Sequence, residues 1–175
     1  MRFNVKVRVG TTTWRKVRVE VAPDEGGAGD SSEVVTPPSL AGFGLPTPDT
    51  LATLALRFQI AQKFHACTDP HDPPTAINDR PRDVVDLLLL RDLAHTEGRP
   101  TLLELRVATE AIFAARAADA RALGRTERTW PCAVVAHEHW RADFATARVG
   151  SYVHVTLEDA VAAVNTWINQ IAAAT

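Results

Sequence analysis

The chain predicts an α+β architecture: a short antiparallel β-hairpin at the front, followed by a bundle of helices. Residues 2–9 and 16–21 alternate apolar with polar or charged side chains, which is the period of a strand. Beyond residue 49 the apolar residues recur at three- and four-residue spacing in segments rich in Ala, Leu and Arg. Between the two patterns, residues 22–48 are rich in Gly, Pro, Ser and Asp and mark a long mobile loop or linker. The expected division is therefore a front β region with its flexible loop, residues 1–48, and a helical domain, residues 49–175.

In the hairpin, Phe3, Val5, Val7 and Val9 alternate with Arg2, Asn4, Lys6 and Arg8, and Val17, Val19 and Val21 alternate with Lys16, Arg18 and Glu20. For both apolar sets to share a face, opposed residue numbers must sum to an even number, so the turn around Gly10 to Trp14 must hold an odd number of residues. The other face then carries Lys6, Arg8, Lys16 and Arg18 beside a single acid, Glu20. A sheet solvated on one side alternates in this way without any function.

Helices are expected at residues 50–67, 81–94, 101–123, 137–148 and 157–173. Pro81 suits a first helical turn, with Asn78 and Asp79 as capping residues before it. Thr101-Leu102-Leu103-Glu104 is a capping box, and Thr156-Leu157-Glu158-Asp159 is a close relative. Leu157, Val161, Val164, Ile168 and Ile171 give the last helix an apolar stripe that should pack on the bundle. Trp130, Trp140 and Trp167 are expected to fill the core, although stacking on a base is open to any exposed aromatic.

Charge placed inside apolar pattern singles out the candidate site. On the helix of residues 50–67, Leu56, Ile60, Phe64 and Cys67 form a stripe, and Lys63 falls within it. Lys63 is one of three lysines, with Lys6 and Lys16, in a chain whose other basic residues are all arginine. An ammonium there either grips a phosphate chain or pairs with a buried Asp. Asp83 and Asp86 lie three residues apart on a face that continues through Leu90 and Leu93, so both carboxylates should be half buried. Asp83 also suits a helix N-terminus, where an acid complements the dipole. Arg80 and Arg82 either neutralise these acids or fork onto phosphate oxygens.

Other features narrow the function. The net charge of -2 does not advertise a nucleic-acid binder, yet the basic residues concentrate in the hairpin, while residues 24–49 hold only acids among their charges. No apolar run reaches membrane-spanning length, and Met1-Arg2-Phe3-Asn4 begins a strand rather than a signal peptide, which makes the cytoplasm the expected compartment. Cys67 and Cys132 read as reduced thiols. His65, Cys67 and His71, and separately Cys132, His137 and His139, lack the double-ligand spacing of a zinc knuckle and read as loose histidines.

The run Phe58-Gln59-Ile60-Ala61-Gln62-Lys63-Phe64-His65-Ala66, followed by Asn78-Asp79-Arg80-Pro81-Arg82-Asp83-Val84-Val85-Asp86-Leu87, resembles the C-terminal motifs of the AbiEii/AbiGii nucleotidyltransferase toxins of bacterial abortive-infection and toxin–antitoxin systems. The likeness continues through Thr129-Trp130-Pro131, residues 140–144 and the helix opening at Thr156. It implies a polymerase-beta-like nucleotidyltransferase: an NTP bound with Mg2+, its nucleotide passed to an acceptor such as a tRNA end, and a DNA-binding antitoxin as cognate partner. Lys63 matches the motif lysine that contacts the triphosphate, and Asp83 matches the aspartate of the last motif. Asp86 joins it in organising the site, Arg80 and Arg82 supply substrate contacts, and Glu20 matches the third metal carboxylate.

The chain departs from the family pattern in two places. Gln59 stands where a Glu is usual, and no Asp-x-Asp pair occurs anywhere in the sequence. That pair would hold the metal ions, and phosphoryl transfer depends on positioning and charge neutralisation, so its loss should remove most of the rate. The sequence thus looks like the C-terminal two-thirds of such an enzyme, its hairpin a remnant of the catalytic sheet. Three readings stand: a transferase completed by residues elsewhere, a degenerate nucleotide- or RNA-binding module, and a decayed fragment.

Overall fold

A computed structural model of the chain describes residues 1–21 and 23–175. Ala22, the first residue of the loop read from composition, lies outside the described residues. The elements are β1 (Arg2–Val9), β2 (Thr12–Glu20), β3 (Ser32–Val35), β4 (Leu51–Leu54), α1 (Leu56–Cys67), α2 (Pro81–Glu97), α3 (Leu102–Ala122), α4 (Arg141–Ala147) and α5 (Leu157–Ala172), with 3-10 turns at Ala41–Phe43 and Glu138–Trp140. The α+β class is as expected. The strands, however, form two separate antiparallel pairs, β1–β2 and β3–β4, rather than one hairpin.

In β1–β2, Phe3 opposes Val19 and Val5 opposes Val17, the even-sum register that brings the apolar sets to one face. The turn itself differs from the expectation. It holds only Gly10 and Thr11, with Val9 opposite Thr12, and the odd residue is Trp14, extruded as a bulge between the Val7–Arg15 and Arg8–Thr13 pairs. Gly10, at φ 60°, supplies the positive φ that a two-residue hairpin turn needs. A tight turn matches the strand twist, and the bulge restores the parity that the apolar pattern demands. Phe3, Val5, Val7 and Val17 are all exposed, so the hairpin's apolar face is uncovered.

The segment read as linker is largely anchored. β3 pairs with β4 from Ser32↔Leu54 to Val35↔Leu51, so residues 51–54 are strand and α1 starts later than expected, at Leu56. The switch has a chemical cause. Glu33 accepts the Leu56 N–H at 3.1 Å, placing a carboxylate on the first turn of α1 from a strand distant in sequence. Glu25 accepts from Arg116 Nε and Nη2 at 3.1 and 2.8 Å, tying the same segment to α3. Gly26, at φ 62°, lies so close to α3 that a Cβ would stand 2.9 Å from the Ala111 carbonyl carbon.

α1 is the central helix. Ile60, Phe64 and Cys67 pack with Val84, Leu87 and Leu88 of α2 and with Val164, Trp167, Ile168 and Ile171 of α5. Its other side sets Phe58 and Ala61 against Ala108 and Ile112 of α3. The α5 stripe is buried as its period predicted, and Trp167 meets Phe64 edge-on at 5.2 Å. The Thr101–Glu104 capping box is formed, and Thr156 Oγ1 accepts the Asp159 N–H at 3.1 Å. Residues 137–148 are not one helix but a 3-10 turn leading into the short α4. The extended stretch before that turn is pinned by Asn165, whose amide exchanges two 2.9 Å bonds with the Val134 backbone.

α2 begins without the cap predicted for it. Arg80 is the N-cap residue and offers no side-chain cap. Asn78 is buried and serves the preceding helix instead, its Nδ2 donating to the carbonyls of Cys67 and Asp69 at 3.1 and 2.8 Å. Carbonyls at the end of α1 have no partner within the helix, so a buried amide is more useful there than at an exposed N-terminus.

Candidate functional site

The buried arc of α1 runs through Phe58, Ile60, Ala61, Phe64, His65 and Cys67, which leaves Gln59, Gln62, Lys63 and Ala66 along an open strip. Lys63 sits at the edge of that strip beside α2, at the margin of the apolar stripe rather than within it. A cleft of about 350 Å3 follows the strip, lined also by Asp69, Arg80, Asp83 and Arg116. Larger clefts lie elsewhere, one of about 710 Å3 between β3, α1 and α2, but none of them contains the lysine–carboxylate constellation.

Lys63, Asp83 and Asp86 come together. Lys63 Nζ donates to Asp83 Oδ1 at 2.8 Å and to Asp86 Oδ2 at 2.7 Å. The three side chains are 26, 16 and 36% exposed, half-buried as the spacing suggested. Burial pushes the Lys63 ammonium toward its neutral form, but the hydrogen bonds and charges of Asp83 and Asp86 outweigh it, so its pKa stands above the ordinary value. Arg80 lies more loosely, 3.9 Å from Asp83 Oδ2 and 59% exposed. Arg82 is exposed in the first turn of α2, outside the cleft.

Glu20 is not brought into this cluster. It lies on the exposed hairpin and is held by Arg2, whose Nε stands 3.1 Å from its carboxylate. Gln59 has a local role that explains why it is not an acid: its Nε2 donates to the Leu54 carbonyl at 2.6 Å and locks β4 to α1. A glutamate has no N–H for that bond.

Besides Asp69, pattern reading missed Arg116 in the cleft. It extends the buried α3 stripe of Leu105, Ala108, Thr109, Ile112 and Phe113 by one turn, the same signature of a cation on an apolar face that drew attention to Lys63. Besides Glu25, it reaches His65 Nδ1 at 2.9 Å. Arg128 pairs with Asp69 and donates to the His65 carbonyl at 2.8 Å. Burial, then the charges of Arg128 and Arg116, lower the His65 pKa to about 3, so this imidazole is neutral and faces cations. Both cysteines are free, and burial raises each thiol.

Among the described residues, no helix is long and apolar enough to cross a membrane. No curated protein matches the chain. The family model described as nucleotidyl transferase AbiEii toxin, type IV toxin–antitoxin system, matches residues 1–165, and the chain belongs to that family.

Proposed function

We propose that this chain forms the nucleotide-holding part of a nucleotidyltransferase toxin, with the triphosphate of an NTP in the cleft along α1 and an acceptor such as a tRNA end as the second substrate. The observation that carries this reading is the Lys63 ammonium held by two carboxylates at the cleft wall. An ammonium has three N–H donors, and the two aspartates use two, which leaves one for a phosphate oxygen. Arg80, loosely held by Asp83, is free to swing onto the same phosphates, and Arg82 offers a contact to the acceptor backbone. Transfer would join the acceptor hydroxyl oxygen to the α-phosphorus as the α–β phosphoanhydride bond breaks, the hydroxyl proton passing to water and the pyrophosphate leaving with its charge neutralised by Lys63 and Arg80. A neighbouring DNA-binding antitoxin and a cytoplasmic setting complete the reading.

The carboxylates of this chain do not fit a Mg2+ cage. Asp83 and Asp86 already hold an ammonium, Glu20 is alone beside Arg2, and among the described residues no three carboxylates converge. In this reading Mg2+ arrives with the incoming NTP, and the chain alone transfers only slowly, with most of the rate lost. The same misfit supports a second reading, a binding module that retains nucleotide or RNA contacts without catalysis. Incubation of the purified chain with labelled NTPs, magnesium and total tRNA separates them. Transfer abolished by Lys63→Ala supports an active enzyme, binding without transfer supports the module, and neither binding nor transfer contradicts both.

A further inference from the structure

Three histidines from two separate segments meet beside Asn78, just ahead of α2. His71, from the loop after α1, stacks on His139 with ring centroids 4.2 Å apart and lies 4.7 Å from His137, while His137 and His139 are 5.4 Å apart. One ring nitrogen from each falls within 4.8 Å of the others. The set takes one member of the first sequence grouping and two of the second and leaves out His65, Cys67 and Cys132, because the loop and the 3-10 turn fold over the same residue, Asn78.

We propose that His71, His137 and His139 bind a transition-metal ion of the Zn2+ type, clasping the loop of residues 68–80 to the 3-10 turn Glu138–Trp140. The donor chemistry selects the metal: three imidazoles without a carboxylate suit Zn2+, Ni2+ or Co2+ and not Mg2+ or Ca2+. Second contacts orient the rings. His139 Nε2 donates to the Asn78 carbonyl at 2.8 Å, which leaves its Nδ1 lone pair for a ligand. Trp140 Nε1 donates to the same carbonyl at 2.7 Å and stands edge-on to His137. His71 Nδ1 accepts the Asn78 N–H at 3.2 Å, and ligation exchanges that long bond for the metal. Tetrahedral ligands about 2.0–2.1 Å from zinc stand about 3.4 Å apart, so side chains on a partly exposed surface need to contract by little more than an ångström. With three protein ligands the fourth position belongs to water. The site is independent of Lys63 and of nucleotide binding.

The test uses the full chain, free of any histidine tag and stripped with chelator, titrated with ZnCl2 by calorimetry and with CoCl2 by absorption. One equivalent of Zn2+ should bind, with affinity falling about tenfold or more in each of His71→Ala, His137→Ala and His139→Ala and unchanged in His154→Ala. Should an alanine variant unfold, 15N spectra of the wild-type imidazoles decide the matter: Zn2+ should move His71, His137 and His139 and leave His95 and His154 in place. No saturable one-to-one binding, or binding that survives the loss of any two of the three histidines, overturns the proposal.

Discussion

Replacing Lys63 by methionine keeps the length and apolar stem of the side chain and removes only its charge and donors. The wild-type ammonium makes two charge-assisted hydrogen bonds, at 2.8 and 2.7 Å, that join α1 to α2. Fully buried, each is worth about 1.5–3 kcal/mol. With side chains 16–36% exposed, solvent screening pulls each toward about 1 kcal/mol. Lys63→Met should therefore cost about 2 kcal/mol, with some further loss from two carboxylates left facing each other. For a chain of this size that is about 4–8 °C in Tm. Urea and thermal unfolding of Lys63→Met, Asp83→Asn, Asp86→Asn and the paired variants measure it, and each lysine–aspartate cycle should give about 1 kcal/mol of coupling. The triple variant, with no charge left, should regain part of the loss. Because the Lys63 pKa is raised in the folded state, its contribution is complete below the ordinary value of 10.5 and is lost only as pH rises through the higher folded value. The loss should thus be constant from about pH 6 to 9. Coupling below about 0.3 kcal/mol in both cycles would refute the linkage between these helices.

Further outcomes follow from single contacts. Gln59→Glu, which restores the usual family residue, should destabilise by about 1–3 kcal/mol by setting a carboxylate against the Leu54 carbonyl, and chemical unfolding would register no loss if that bond were unimportant. Gly26→Ala should cost about 2 kcal/mol, since it adds strain at φ 62° to a 2.9 Å approach to Ala111, and an unchanged Tm would mean that residues 23–31 do not lie on α3. The His65 pKa falls from 6.5 to about 3 on folding, so the unfolded chain takes up the proton first and stability drops as pH falls below 6.5. That slope is about 1.4 kcal/mol per pH unit at most, and it should be absent from His65→Gln, which gives the comparison its readout.

Periodic features were legible in the sequence because each is fixed by neighbours along the chain. The hairpin register, the Thr101 capping box and the α5 stripe are all of this kind. The cluster of Lys63 with Asp83 and Asp86 was foreshadowed for a different reason: charges set beside apolar stripes must find partners, even 20 and 23 residues away. Contacts between segments that no misplaced charge announces were hidden. Glu33 converts the expected start of a helix into strand β4 by capping α1, and Asn78, which looks like a helix start, closes the helix before it. The histidine group was obscured in the same way, since His71 is separated from His137 by two helices and acquires its neighbours only when both segments fold onto Asn78. Arg116 was legible in principle, but its Ala-rich surroundings give a weak stripe, and the eye passes over it.

The most direct test is equilibrium binding of each NTP, with magnesium, to the folded wild-type chain and to Lys63→Gln, both checked by circular dichroism. Saturable binding of at least one NTP at a single site, weakened about tenfold or more in Lys63→Gln, is the predicted result. Equal affinity in the two proteins, or no binding at millimolar NTP, would reduce Lys63 to an interhelical lock and remove the nucleotide from the cleft.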